Sequence, residues 1–344
     1  MTHRNTAENR PQSDFTTVAD DDIRRVRRTI ISWFESAARP LPWREEGTSA
    51  WAILVSEIMS QQTPVSRVEP RWREWMERWP TPADLAQAPT AEVLRRWDRL
   101  GYPRRALRLQ EAARVITAEH GGRVPTTAVE LEALPGIGAY TAAAVASFAH
   151  AERTTVLDTN IRRVLVRLFV GRERPTPAPS RRETAWAAQF VPAERHQEWN
   201  AGVMEFGALI CTARSPRCDD CPLSDLCAWN RAGRPASATK PSSQKWAGTD
   251  RQLRGAIMDV LKAAHRDVEP NSDDGHTSVP VDLLLAPTAE VDSRLLDSLG
   301  PATSTSLSRM RDLSADSDRV SRLISDLVSD GLAERHGDRL GLPR

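Results

Sequence analysis

Residues 127–149, TAVELEALPGIGAYTAAAVASFA, decide the fold of this chain. Apolar residues at helical spacing flank the glycine-rich LPGIG at 134–138, so the stretch predicts a helix, a tight turn and a second helix. Gly136 and Gly138 are expected to adopt backbone angles closed to other residues and to let a phosphate approach the amides that begin the second helix. An isolated G-x-G would favour an ordinary turn between core helices, so the rest of the chain has to decide.

Helical periodicity continues on both sides of this hairpin. Ile23, Val26, Ile30 and Trp33 recur at three- and four-residue spacing. Similar stripes run through 51–59, 65–79, 91–97, 105–118, 127–134, 139–149, 160–169, 183–190 and 196–210. Alternation typical of strands is nearly absent, so this part of the chain is predicted to be all-α.

Composition divides the 344 residues into four parts. Residues 1–22 are polar and aperiodic and predict a disordered tail, whereas 231–249 are rich in Pro, Ser, Ala and Gly and predict a linker. The helical residues 23–230 between them form the main domain. Residues 250–344 are expected to form a small C-terminal domain that resembles a winged helix, with a helix capped at Gly331 and a hairpin turning at 336–338.

Charge and hydropathy restrict the setting of the protein. Residues 1–240 hold 34 Lys and Arg against 29 Asp and Glu, a modest sign of a polyanionic partner. No stretch approaches the apolar length needed to span a bilayer, and the N-terminus lacks the apolar segment of a secretion signal. We therefore expect a cytoplasmic protein.

The four cysteines of the chain are clustered in the spacing C-x6-C-x2-C-x5-C. They are Cys211, Cys218, Cys221 and Cys227. Disulfides are not expected without a secretion signal, which leaves a metal site of four thiolates. Ligand type alone fits either structural zinc or a [4Fe-4S] cluster.

Two carboxylates stand out, although each has an ordinary structural explanation. Glu57 lies in 41–65, LPWREEGTSAWAILVSEIMSQQTPV, where most helix carboxylates simply face solvent. Asp158, in VLDTN, precedes an apolar helical stripe and is placed to cap that helix. Hydrogen bonds from the helix amides are expected to keep the Asp158 carboxylate ionised.

Taken together, these motifs resemble the MutY-type adenine DNA glycosylases of the helix-hairpin-helix, or endonuclease III, superfamily. The resemblance covers 23–230 and includes LPGIG, the nineteen residues between Gly138 and Asp158, the segment 41–65 and the cysteine spacing. It implies an all-α glycosylase fold with a six-helix lobe and a helical lobe that carries a [4Fe-4S] cluster on the four cysteines of loop 211–227.

The resemblance also implies a division of catalytic roles. Glu57 is the acid that protonates adenine N7, and an apolar wall of Ile53 and Leu54 is expected to raise its pKa. Asp158 stabilises the oxocarbenium ion of the sugar, and Asn160 orients the sugar or the attacking water. Tyr140 stands where bifunctional relatives carry a Schiff-base lysine.

No lysine precedes Lys240, so the expected product is an intact abasic site rather than a nicked strand.

DNA contacts follow from the same resemblance. Gln61 and Gln62 are expected to enter the base stack as the adenine leaves, and Tyr102 to stack beside the opposite base. Phosphate contacts are assigned to the hairpin glycines, to Arg104, Arg105 and Arg108, and to the cysteine-loop arginines Arg214 and Arg217. The adenine pocket is assigned to Trp43, Arg44 and Glu205.

The predicted substrate is double-stranded DNA with adenine opposite 8-oxoguanine or guanine, bound by a monomer associated with the nucleoid. Two alternatives stay open: a thymine or uracil mismatch glycosylase of the same fold, and a non-catalytic zinc-containing DNA-binding regulator. Residues 250–344 show no pattern of the nucleotide-hydrolase-like domain that many adenine glycosylases carry, so the role of this C-terminal domain is not assigned.

Overall fold

The computed structural model describes residues 15–237, 246–267, 277–286 and 299–344. Residues 1–14 of the predicted tail and residues 238–245 of the predicted linker lie outside the described residues. Packing divides the chain into two compact units. Unit 1 comprises the described parts of Met1–Leu54, Pro125–Ala133 and Ile137–Lys240, and unit 2 those of Val55–Val124, Leu134–Gly136 and Pro241–Arg344.

Helices account for most of the described structure. In chain order they are α1 (Asp20–Ala37), α2 (Ala50–Ser60), α3 (Val65–Arg78), α4 (Pro82–Gln87), α5 (Thr90–Trp97), α6 (Arg104–Glu119), α7 (Ala128–Glu132), α8 (Ala139–His150), α9 (Thr159–Leu165), α10 (Arg181–Ala188), α11 (His196–Leu209), α12 (Ala228–Arg231), α13 (Asp250–Arg266), α14 (Val281–Leu285), α15 (Pro301–Arg311) and α16 (Ser317–Ser329). Short 3₁₀-helices span Pro42–Arg44 and Asp98–Leu100, and a π-helix, Val166–Val170, continues α9.

Unit 1 packs around one apolar core. Helices α1, α9 and α11 contribute to it, and so does Trp186 of α10, whose ring lies 4.8 Å edge to face from that of Phe190, just after this helix. Gly207 of α11 approaches α9 so closely that a Cβ there would lie 2.7 Å from the Cβ of Asn160. This close approach brings α11 against the residues that follow Asp158.

Unit 2 has an aromatic core and a small sheet. Trp75 of α3 contacts Trp79 and Trp97 edge to face, with ring centroids 4.7 and 5.4 Å away. Strands β1 (Ser278–Pro280), β2 (Glu334–His336) and β3 (Arg339–Gly341) form an antiparallel sheet in the order β1-β3-β2. Helix α13 packs against α5, α15, α16 and this sheet.

Most of the predicted helices are confirmed. In the described part of the first 237 residues no strand occurs, as the all-α prediction required. Helix α4 was missed because its six residues are too few to show a periodicity; it begins with a capping box between Thr81 and Asp84. The stripe 160–169 divides into α9 and the π-helix.

At the C-terminus the predicted cap and hairpin are present. Gly331 follows α16 with φ +70°, and β2 and β3 are joined through Gly337, with φ +61°. The likeness to a winged helix and the domain boundaries at 231 and 250 stay predictions. The compact units follow another division, because the described part of 250–344 groups with residues 55–124.

None of the described helices combines the length and apolarity that crossing a membrane requires.

Arg105 of α6 clamps the end of α2 to the loop that precedes α6. Its guanidinium nitrogens Nη1 and Nη2 donate hydrogen bonds of 2.6–3.1 Å to five backbone carbonyls and one hydroxyl: those of Ile58, Met59, Gln61, Leu100 and Gly101, and Oγ1 of Thr63. The Thr63 hydroxyl in turn donates to the Leu100 carbonyl at 2.8 Å. Arg105 therefore has a structural role, and its predicted contact with phosphate is wrong.

The clamp predicts that substitution of Arg105 destabilises the protein much more than substitution of its neighbour Arg104. Lysine has three donors on one nitrogen and cannot reach two loops at once. We expect Arg105→Lys to lower the free energy of unfolding by about 3 kcal/mol, because buried carbonyls lose their partners. Urea unfolding followed by circular dichroism measures this change.

Arg104→Lys is the matched control. Its side chain is 57% exposed and makes one ion pair, with Asp330. We expect a change of less than about 1 kcal/mol. Equal effects of the two substitutions would contradict the clamp.

Candidate active site

Asp158 is the N-cap of α9 and is the predicted catalytic carboxylate of unit 1. Its Oδ1 accepts a hydrogen bond from the amide of Ile161 at 2.6 Å, so the predicted cap is confirmed. Its Oδ2 accepts another from Nδ2 of Asn160, also at 2.6 Å. Both oxygens are thereby oriented by residues of the same helix.

The pKa of Asp158 moves in the opposite direction from the one expected. Hydrogen bonds from Asn160 and Ile161 and the charge of Arg163 favour the ionised form, but burial outweighs them and raises the pKa above its ordinary value. The prediction from sequence included only the helix amides, because the loss of water around the Asp158 carboxylate depends on the tertiary structure. A poorly hydrated carboxylate interacts more strongly with a cation that develops beside it.

A buried arginine connects the start of α9 to the first cysteine. Arg163 donates to Oδ1 of Asn160 at 2.8 Å, to the Gly207 carbonyl at 2.6 Å and, through Nε, to the Cys211 carbonyl at 2.8 Å. Sequence analysis missed this link, because the arginine lies 48 residues from the cysteine carbonyl that it binds. The partner of Asp158 and the cysteine loop thus share one positioning side chain.

Arg167, one turn further along, binds the cysteine loop itself. Its Nη1 lies 3.3 Å from Sγ of Cys211 and 2.8 Å from the Thr212 carbonyl, and its guanidinium lies 4.4 Å from the ring centroid of Trp229. Only 1% of this residue is exposed. The loop therefore has a fixed position on the π-helix.

The four cysteines are free thiols that line one cavity, together with Arg167. Burial and the proximity of the other cysteines raise the pKa of Cys221 to about 11, and burial also raises that of Cys227. Four thiolates this close repel one another, so a cationic group has to balance them. The residues present supply the ligands for such a group.

The arrangement of the four cysteines is compatible with a metal cluster. Their side chains surround one shared cavity. Four thiols placed in this way can serve as the ligands of a [4Fe-4S] core.

Glu205 is fully buried in unit 1 and forms two ion pairs. Its oxygens accept from Arg39 at 2.6 and 2.8 Å and from Arg44 at 3.1 Å. Burial by itself would raise the pKa of Glu205, but these two guanidinium groups outweigh it and lower the pKa to about 2. Arg44 also has a buried Nη1 with no hydrogen-bond partner among the described residues.

The predicted pair of Arg44 and Glu205 is thus in contact. Trp43 is half-buried in the same 3₁₀-helix as Arg44. Arg39 was missed, because nothing in the local sequence distinguishes it from the other arginines of this unit.

Unit 2 carries the other predicted catalytic carboxylate. Glu57 is half-buried on α2, where Trp51–Ser56, Ile58 and Met59 are all buried. Just beyond this helix, the Gln61 carbonyl is held by the Arg105 clamp and Gln62 is exposed with φ +55°. A positive φ in a residue other than glycine is strained and is often retained at functional sites.

Tyr102 is the second exposed and strained residue at the clamp. It is 39% exposed, has φ +47° and lies with its ring centroid 5.6 Å from the Arg105 guanidinium. Arg104, which follows closely, forms the ion pair with Asp330.

The two hairpin glycines have different geometry. Gly136 has φ +76°, and a Cβ there would lie 2.5 Å from the Cβ of Arg108. Gly138 has φ −97° and ψ 170°, extended angles that any residue adopts, so its expected special conformation is wrong. A Cβ at Gly138 would have no described atom within 4 Å, and the residue is exposed. Its absent side chain leaves open space in front of α8.

The remaining predicted residues lie in unit 1. Tyr140 is half-buried at the start of α8 and packs against the apolar core. Arg214 is exposed on the cysteine loop, and Arg217 of the same loop forms an ion pair with Asp220 at 2.9 Å.

Two stretches of this chain match the models of known protein families. Residues 55–189 match the family model of the HhH-GPD superfamily base excision DNA repair protein, and residues 211–227 match that of the iron-sulfur binding domain of endonuclease III. The second match covers the four cysteines and identifies their loop as an iron-sulfur site.

Several curated relatives are similar over about two thirds of this chain. An adenine DNA glycosylase of Mycolicibacterium smegmatis is 53% identical over 68% of this chain and 79% of its own length. One from Mycobacterium tuberculosis is 50% identical over 68% and 78%. A human adenine DNA glycosylase is 40% identical over 60% and 39%.

Solved structures show the same fold. A thermostable thymine-DNA glycosylase aligns with a TM-score of 0.56 at 29% identity, over 62% of this chain and all of its own. A non-covalent endonuclease III–DNA complex aligns with a TM-score of 0.55 at 24% identity, over 63% and 99%.

Glu205 gives a prediction about stability and pH. Its pKa is lower in the folded protein than its ordinary 4.5, so its contribution is complete above that value and is lost as the pH falls toward 2. We expect Glu205→Gln to lower the free energy of unfolding by about 3 kcal/mol at pH 7. The difference in free energy of unfolding between wild type and Glu205→Gln should decrease as the pH falls from 5 to 3.

Urea unfolding at pH 7, 5, 4 and 3 measures this gap. Glu198→Gln on the same helix is the control, because its pair with Arg195 is exposed and should contribute little. A gap that does not change with pH would show that the ion pairs are not its source.

Proposed function

Because this chain belongs to the family of adenine DNA glycosylases, we propose that it hydrolyses the bond between adenine and deoxyribose where adenine faces 8-oxoguanine or guanine in DNA. The observation that carries the proposal is the combination of Glu57 in SEIMSQQT with Asp158 at the start of α9. Supporting it are the DNA complexes among the structural neighbours and the exposed hairpin glycines.

Glu57 acts as the general acid. Adenine is a poor leaving group as an anion, and protonation at N7 lets it depart neutral. Glu57 is half-buried among buried residues of α2, which supports this role because its carboxyl is partly shielded from bulk water. Once ionised, the same carboxylate accepts a proton from the attacking water.

Asp158 balances the positive charge that develops on the sugar. Its two oxygens are held by Ile161 and Asn160, so little reorganisation is needed when the bond breaks. Two carboxylates in different environments thereby perform two roles.

The proposed product is an intact abasic site. The position after the hairpin turn is Tyr140, and no lysine precedes Lys240, so no amine is available in this part of the chain to form an imine with the sugar.

The four cysteines hold a [4Fe-4S] cluster. When bound, this group would cross-link the cysteine loop through Cys211, Cys218, Cys221 and Cys227, which is a structural role. Arg163 and Arg167 fix the loop against α9 and the π-helix, which supports a role in presenting Arg214 to phosphate. We infer that the protein acts on double-stranded DNA as a monomer.

Product analysis tests the reaction. A labelled duplex with adenine opposite 8-oxoguanine is incubated with excess enzyme, and the strand should break only after treatment with alkali. Glu57→Gln should abolish the reaction. Asp158→Asn should slow it at least about a hundredfold while the protein stays folded, because asparagine also caps helices.

Duplexes with thymine or uracil opposite guanine are the controls. Release of these bases with adenine untouched would favour the pyrimidine mismatch glycosylase. Strand breakage without alkali would contradict the argument from the missing lysine. A colourless protein that binds zinc and releases no base would favour the regulator.

The hairpin glycines give a paired prediction. Gly136→Ala should destabilise the fold by more than about 1 kcal/mol, because φ is positive and the Arg108 side chain is in the way. Gly138→Ala should leave stability unchanged and weaken DNA binding about tenfold, since its methyl group blocks a phosphate from the α8 amides. Urea unfolding and fluorescence anisotropy measure the two effects. Unchanged DNA affinity of Gly138→Ala would reject the anchor.

A further inference from the structure

Helix α13 is held beside residues 98–104, the segment that contains Tyr102, within unit 2. Lys262 of α13 is buried and donates to the Asp98 carbonyl at 2.8 Å. Asp330, which ends α16, forms ion pairs with Arg104 at 3.2 Å and with Arg254 at 2.6 Å. These contacts connect residues 98–104 to α13 and to the C-terminal end of α16.

An arginine lies between two exposed aromatic rings at this junction. The guanidinium carbon of Arg251 is 4.5 Å from the ring centroid of Tyr102 and 5.1 Å from that of Trp246. Tyr102 is 39% exposed and Trp246 54%. Among the described residues only four large hydrophobic side chains are exposed, and two of them meet at this one arginine.

Folding alone does not account for this exposure. Aromatic rings contribute most to stability when they are covered, yet these two present much of their surface to water. Tyr102 is also held in a left-handed conformation, which costs free energy that the Arg105 clamp has to offset. The surface is therefore suited to a partner.

The chemistry of the surface fits a nucleobase. Aromatic faces stack on any base, and a guanidinium plane stacks on bases while its charge attracts the phosphate backbone. Arg251 contributes positive charge beside Tyr102, for which the family resemblance implies stacking beside the opposite base. An apolar peptide would not explain the central arginine.

We propose that Trp246 and Arg251 extend Tyr102 into one stacking platform for an unpaired base of the bound DNA, in the strand opposite the excised adenine. The inference rests on the proposed function, because the strand follows from the role of Tyr102. It assigns a DNA-binding role to residues 246–251, at the entry to a C-terminal region whose sequence lacks the hydrolase-like pattern.

Equilibrium binding tests the platform without catalysis. The full-length, cluster-containing protein is titrated into a fluorescent duplex that carries 2′-fluoro-2′-deoxyadenosine, which resists cleavage, opposite 8-oxoguanine. A second duplex replaces 8-oxoguanine with a tetrahydrofuran abasic analogue, which has no base to stack. Fluorescence anisotropy gives the Kd of wild type, Trp246→Ala, Trp246→Phe and Arg251→Ala.

The first duplex should bind Trp246→Ala and Arg251→Ala about tenfold more weakly than wild type. On the abasic duplex the same substitutions should change Kd less than about twofold, because the base that they stack on is missing. Trp246→Phe should retain most of the affinity. Arg266→Ala is the matched control, since it removes the same charge from an exposed position about 22 Å along the same helix.

Three results would overturn the platform. The first is that both alanine variants bind the first duplex with the wild-type Kd. The second is that they lose equal affinity for the two duplexes. The third is that Arg251→Ala binds more tightly, which would mean that the arginine blocks access to Tyr102. Thermal unfolding confirms that each variant is folded. Adenine release by wild type is measured separately, so a failed platform with intact release leaves the proposed function standing, and absent release rejects that function whatever the binding result.

Discussion

The clamp formed by Arg105 is the interaction on which the functional surface of unit 2 depends. One guanidinium joins the last turn of α2, which carries Glu57, to the loop that presents Tyr102. Burial lowers the pKa of Arg105 to about 10, so the group stays charged at neutral pH and its hydrogen bonds remain charge-assisted. Because the bonds hold the backbone carbonyls of Gln61 and Gly101, they restrain the strained residues Gln62 and Tyr102 that follow them.

Unit 1 uses the same device around its own carboxylate. Arg163 connects Asn160, and through it Asp158, to the Cys211 carbonyl, and Arg167 holds the rest of the cysteine loop. Five donors in a rigid plane suit such a link, whereas one ammonium group does not. The absence of lysine before residue 240 therefore has a structural counterpart: the cations that hold the cysteine loop in unit 1 and the end of α2 in unit 2 are arginines.

Two carboxylates of unit 1, Glu205 and the half-buried Asp158, show how environment separates residues of similar chemistry. Glu205 accepts from two guanidinium groups, and its pKa falls to about 2. Asp158 accepts mainly from neutral amides, and burial raises its pKa. The first carboxylate is neutralised by its partners and stabilises the fold. The second forms no ion pair with the residues that the structure describes, which suits a group that has to meet a developing positive charge.

Sequence by itself determined the features that depend on neighbours along the chain. Helical periodicity predicted most helices, the cysteine spacing and motif resemblance predicted the cluster ligands, and VLDTN predicted the cap at Asp158. Tertiary structure alone decided the role of Arg105, the pairing of Arg39 with Glu205 across 166 residues, and the grouping of the C-terminal region with residues 55–124. The physical reason is that desolvation and long-range hydrogen bonds depend on which segments pack together, and a local pattern carries no record of that.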